Sequence, residues 1–126
     1  MRLVDTSAWI EWILGSPLGE GLSQEFPPND QWVVPTIVQF ELARWLAREI
    51  SEAAAARVIA FSTELVVTPL TTDIATKAAG YANIHRLAMA DSIVFATAKD
   101  ARADLLTCDA HFAELPGVIY FKKGGH

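Results

Sequence analysis

The chain has 126 residues, 52% of them hydrophobic, and its 10 Lys and Arg against 15 Asp and Glu leave a formal charge of −5. A chain of this length buries about two-thirds of its unfolded surface, so one domain over residues 1–126 needs no disulfide or structural metal. The acidic balance excludes a general basic nucleic-acid binder, and apolar runs broken well short of about 18 residues exclude a membrane-spanning helix.

In chain order, Arg2-Leu3-Val4-Asp5 reads as a short strand ending on a carboxylate, with Thr6 or Ser7 capping a helix from Ala8 to Leu14. Gly15, Ser16, Pro17 and Gly19 break that helix, and Phe26 to Asp30 is a loop. Trp32-Val33-Val34 is a second strand, stopped at Pro35. Thr36 then caps a helix reaching Glu49, whose apolar stripe of Ile37, Val38, Leu42, Trp45 and Leu46 includes Glu41.

Ser51 caps an alanine-rich helix through Phe61, and Glu64 to Thr68 is a third strand. Thr71 or Thr72 opens a helix to about His85, with Gly80 as a weak point. The segment from Arg86 begins a buried helix running to Ala103 and carrying Asp91 among Met89, Ile93, Val94 and Phe95. Leu105-Leu106-Thr107 is a strand, Ala110 to Leu115 a short helix, Val118 to Phe121 the last strand, and Lys122 to His126 a tail. Short strands alternating with helices specify an α/β sandwich around a mainly parallel sheet.

Four acids occupy unusual places. Asp5 and Asp109 fall at strand carboxyl ends, where ligand crevices form in such sheets, and Glu41 and Asp91 interrupt apolar helix faces. A carboxylate on a packed face costs several kcal/mol unless something pairs with it. Brought together, the four repel one another until a proton or a cation intervenes, and carboxylates select hard ions such as Mg²⁺ or Mn²⁺. Such a cluster with its metal hydrolyses phosphodiesters. Each acid also has an ordinary reading: Asp91 as a first-turn residue favoured by the helix dipole, Asp109 as an N-cap, Glu41 paired with Arg44 on a solvated face, Asp5 as the start of a turn. Trp9, Trp12, Trp32 and Trp45 read as core or interface. Cys108 reads as a small buried residue; it cannot form an internal disulfide, and no leader-like segment opens the sequence, so the expected location is the cytoplasm.

The ordered set Asp5-Thr6-Ser7-Ala8, Glu41, Ala90-Asp91 and Thr107-Cys108-Asp109-Ala110-His111-Phe112 resembles the PIN-domain ribonucleases, most closely the VapC toxins of toxin–antitoxin pairs. The resemblance implies a three-layer α/β/α fold and a Mg²⁺- or Mn²⁺-dependent endoribonuclease. It maps the metal-binding acids onto Asp5, Glu41, Asp91 and Asp109, with Ser7 and Thr107 as hydroxyl supports. It also implies an RNA substrate, a homodimer and a cognate antitoxin that blocks the acidic site. Arg44, Arg48 and Arg86 are candidates for steering the RNA backbone. Two positions depart from the family pattern: Ala88 stands where relatives often carry a capping hydroxyl, and Cys108 where a polar or basic residue is usual. The alternative reading is a catalytically weak metal- and partner-binding module on the same scaffold.

Overall fold

The computed structural model describes residues 1–124. Its centre is a sheet of five short strands, β1 (Arg2–Val4), β2 (Trp32–Pro35), β3 (Val66–Thr68), β4 (Asp104–Thr107) and β5 (Val118–Tyr120). They pair parallel throughout in the order β3-β2-β1-β4-β5. Leu3 lies between Val33 on one side and Leu105 on the other. Parallel strands covered on both faces need continuous apolar runs, and Leu3, Val4, Val33, Val34, Leu105 and Leu106 are all buried. Arg2 ties β1 to β4 at their amino ends, its Nε donating to Asp104 Oδ1 at 2.8 Å.

Six α-helices surround the sheet among the described residues: α1 (Thr6–Ile13), α2 (Pro17–Ser23), α3 (Thr36–Glu49), α4 (Glu52–Ser62), α5 (Thr72–His85) and α6 (Met89–Asp100). The chain moves outward from β1 to β2 and β3, then reverses across β1 to reach β4 and β5. Right-handed crossovers in opposite directions send their helices to opposite faces, which gives the expected α/β/α layering. None of these helices is long and apolar enough to cross a membrane.

Several boundaries differ from the sequence reading, each for a local reason. The Ser-Pro-x-Gly stretch that stops α1 also starts α2, a helix not expected: Ser16 caps it by accepting from Gly19 N–H at 2.9 Å, with Pro17 in the first turn. Gly19 allows α2 to lie against α1, since a Cβ there would collide with the Glu11 carbonyl. α1 starts at Thr6, because Asp5 is its N-cap and the Thr6 and Ser7 hydroxyls bond elsewhere. α3 is capped by Pro35, and the Thr36 hydroxyl instead accepts from Leu70 N–H at 3.3 Å. The expected caps Ser51 and Thr71 do accept from Ala54 N–H at 3.0 Å and Ile74 N–H at 3.2 Å.

α5 and α6 are separated by Arg86, whose φ of 56° is left-handed, so the buried helix opens at Met89 rather than Arg86. It closes at Asp100, before the second left-handed residue, Arg102 at φ 53°. β3 begins at Val66 rather than Glu64, and the short helix after β4 is a single 3₁₀ turn over Ala110–Phe112. Of the expected tail, Gly125 and His126 lie outside the described residues.

The core follows the apolar pattern. Trp9 and Trp32 are buried with ring centroids 4.9 Å apart, and Phe61 packs on both, as expected of core aromatics. Trp12 extends this cluster toward the surface, 37% exposed.

Candidate metal centre

The strand order reverses at β1, so the carboxyl ends of β1 and β4 flank the switch point where α/β sheets leave a crevice. Asp5 stands on the floor of that crevice, 5% exposed. Its N–H continues the ladder by donating to the Leu106 carbonyl at 2.9 Å. Its Oδ2 accepts from Ser7 Oγ at 2.8 Å and from Thr107 Oγ1 at 2.9 Å. Burial pushes the Asp5 carboxyl above its usual range, and these two hydroxyls oppose the shift without cancelling it.

Glu41 enters from α3. Its place in the apolar stripe turns it toward α1, where its Oε1 accepts from Thr6 Oγ1 at 2.7 Å. That contact replaces the pairing with Arg44 left open by the sequence. Partial burial raises the Glu41 carboxyl, and the charges of Asp5 and Asp109 raise it further. Asp91 enters from the first turn of α6. Burial, then the charges of Asp109 and Asp5, lift it from 3.8 to about 6, with His111 pulling the other way. Asp109 follows β4 by two residues, its N–H held by Thr107 Oγ1 at 2.9 Å.

Asp109 does cap the 3₁₀ turn, its Oδ1 accepting from His111 N–H at 2.9 Å, and Asp91 is a first-turn acid. These ordinary roles coexist with a shared electrostatic site, because each of the three raised carboxyls feels the charge of Asp109. The His111 ring lies beside the same acids, with Nδ1 3.0 Å from Asp109 Oδ1 and 3.4 Å from Asp91 Oδ2. Asp91, Asp109 and His111 each offer a ligand atom within 4.8 Å of the other two. Burial pushes the neighbouring Cys108 thiol up, and Cys108 is not among the described residues whose ligand atoms come together there. The donors are therefore mainly carboxylate oxygens, a chemistry that fits Mg²⁺ or Mn²⁺ rather than thiolate-bound zinc.

Cations surround the acids. Arg44 and Arg48 line a groove beside Glu41, Arg48 also bonding Glu49 at 3.0 Å, and Arg86 lines the crevice holding Asp91 and His111. Lys122 and Lys123, read from sequence as tail, line a third recess with Ser7 and Asp109. Sequence reasoning named Thr6 as a candidate helix cap and His111 within the Thr107–Phe112 motif, and gave neither a role at the site. The Asp-x-His spacing in a capping turn was a usable signal for His111; nothing local marks Thr6 as the partner of an acid 35 residues away.

The profile of the PIN domain family matches residues 2–118. The chain belongs to that family. This PIN domain superposes on a chain of a toxin–antitoxin complex from Klebsiella pneumoniae with a TM-score of 0.84 and 23% identity, covering 97% of this chain and 99% of that one. The Mycobacterium tuberculosis toxin VapC20, described as cleaving the sarcin–ricin loop, gives 0.73 at 22% identity over 92% and 95% of the two chains. VapBC-1 from nontypeable Haemophilus influenzae gives 0.72 at 20% identity over 96% of each. At such identities the likeness is one of fold, and it is the VapC-like fold that the ordered motifs resemble. No curated protein sequence is a significant match.

Proposed function

We infer that this PIN domain, spanning residues 1–126, is a divalent-metal-dependent endoribonuclease and the toxin of a toxin–antitoxin pair. The observation that carries the reading is that Asp5, Glu41 and Asp91, from three separate elements, each have a carboxyl raised first by burial and further by the charge of Asp109, which also stands beside Asp91 with a ligand atom within 4.8 Å. Asp5, Glu41, Asp91 and Asp109 would hold Mg²⁺ or Mn²⁺. When bound, such an ion supplies positive charge against the phosphate and lowers the pKa of an attacking water.

The chain's own residues do the rest. Ser7 and Thr107 both donate to Oδ2 of Asp5, and Thr6 donates to Oε1 of Glu41, so these two acids are oriented before substrate arrives. Hydrolysis joins a water oxygen to phosphorus and breaks the bond to the 3′ oxygen, which leaves as a hydroxyl with the proton given up by water, and the product carries a 5′-phosphate. Arg44, Arg48, Arg86, Lys122 and Lys123 border the acids on three sides and supply contacts for flanking RNA phosphates.

The reading extends to a cognate antitoxin that covers the crevice and to a homodimer in the cytoplasm. Solved relatives of this fold include a toxin–antitoxin complex, and Phe40, Ile84 and Met89 expose 60%, 73% and 74% of their surface, apolar area suited to a protein partner. The test is RNA cleavage by wild type and Asp91→Asn with Mg²⁺, Mn²⁺ or chelator. Expected is metal-dependent cleavage, abolished by chelator and reduced at least about a hundredfold in the variant. Equal cleavage by the variant, or cleavage surviving chelation, refutes it.

A further inference from the structure

His111 is 74% exposed at its side chain, yet its ring is anchored at its root. Its N–H is bound by Asp109 Oδ1, and the next residue, Phe112, is fully buried, so the 3₁₀ turn fixes the direction in which the imidazole leaves the backbone. That direction returns Nδ1 to the two acids, 3.0 Å from one carboxylate oxygen and 3.4 Å from the other. An octahedral ion with ligand bonds of about 2.1 Å places adjacent ligand atoms roughly 3.0 Å apart. The 3.0 Å separation, an imidazole–carboxylate contact in the absence of metal, equals that between neighbouring donors on such an ion, and the 3.4 Å one is slightly longer.

We propose that His111 Nδ1 is itself a ligand of the divalent ion, forming with Asp91 and Asp109 a site of two carboxylates and one imidazole. The inference rests on the reading in which these acids hold a metal, and it adds a selectivity that an all-carboxylate site lacks. Imidazole, a softer donor than carboxylate, binds the first-row transition ions better than Mg²⁺, more strongly in the order Mn²⁺ < Fe²⁺ < Co²⁺. This site consequently favours Mn²⁺, and Co²⁺ more strongly, over Mg²⁺, and His111 is the source of the preference.

Mn²⁺ alone is the probe. Its affinity for wild type and His111→Ala is measured by titration calorimetry, Mg²⁺ affinity in parallel, and the Mn²⁺-loaded proteins are compared by pulsed electron paramagnetic resonance. Expected is a directly bonded ¹⁴N coupling in wild type that is absent from His111→Ala. His85 lines the same crevice, so loss of the coupling in the variant is the deciding readout. Mn²⁺ affinity falls at least about tenfold in the variant, the loss typical of even an outer partner of a ligand, while Mg²⁺ affinity changes much less. Mn²⁺ bound without nitrogen coupling, or equal losses for both ions, overturns the imidazole ligand and leaves the four-acid reading standing. A wild-type protein that binds neither ion overturns both.

Discussion

Asp91→Asn should change sign in its effect on stability when metal is added. In the metal-free protein the Asp91 carboxyl stands at about 6 against an ordinary 3.8, so the folded state binds its proton more tightly than the unfolded chain does. Its contribution to stability is complete below pH 3.8 and disappears as pH rises through about 6. The full difference corresponds to at most about 3 kcal/mol; with 21% of the side chain in water, screening reduces it to about 1–2 kcal/mol. Any benefit from the α6 dipole is already outweighed, since the net shift is upward. Asparagine cannot ionise, so at pH 8 with chelator the variant should melt higher by roughly 3–8 °C, and at pH 4 the difference should vanish. Saturating Mn²⁺ should reverse the order, because a ligand at about 100 times its dissociation constant stabilises by about 2.7 kcal/mol and the variant forfeits most of that. Thermal unfolding at the two pH values, with chelator and with Mn²⁺, is the assay. An apo variant less stable than wild type at pH 8, or one that Mn²⁺ stabilises as much, would refute the electrostatic account.

Thr107→Val removes the bond to Asp5 Oδ2 and the acceptor for Asp109 N–H, and should cost about 1–3 kcal/mol in urea unfolding together with metal affinity. Ala88→Ser supplies the side-chain cap that α6 lacks and should raise stability by about 0.5–1 kcal/mol, read from the melting temperature. Arg44→Ala with Arg48→Ala, placed in an Asp91→Asn background so that RNA is not consumed, should weaken RNA binding. Its salt dependence, the slope of log affinity against log salt, should drop by about 1.4 if each arginine meets one phosphate of a single strand; an unchanged slope removes both from the RNA path.

Much of this molecule was legible because its signals are local. The apolar pairs Leu3-Val4, Val33-Val34 and Leu105-Leu106 read as strands buried on both faces, and Ser51 and Thr71 announced their helices by capping chemistry. The four acids stood out because Glu41 and Asp91 break apolar stripes and Asp5 and Asp109 follow strands. What escaped depends on tertiary neighbours. α2 was hidden because Ser16, Pro17 and Gly19 serve equally to end one helix and begin another, and only the approach to Glu11 decides in favour of the second. The Thr6 and Ser7 hydroxyls look like caps in sequence, but carboxylates compete for them and win, Thr6 going to Glu41 on α3 and Ser7 to Asp5 two residues back. Lys122 and Lys123 gave no sign of nearness to Asp109, because that nearness follows from β5 pairing beside β4.

The Asp5 amide is stitched to Leu106, and its carboxylate to Thr107, so the deepest donor belongs to the seam between the two central strands. Loosening that donor means parting the seam, which demands an opening close to complete denaturation. Distorting the site by bending its floor is accordingly expensive, whereas a lid laid over the mouth disturbs nothing beneath it. On the proposed reading, a partner laid over the mouth restrains the centre from outside, and its removal leaves a centre that never lost its shape.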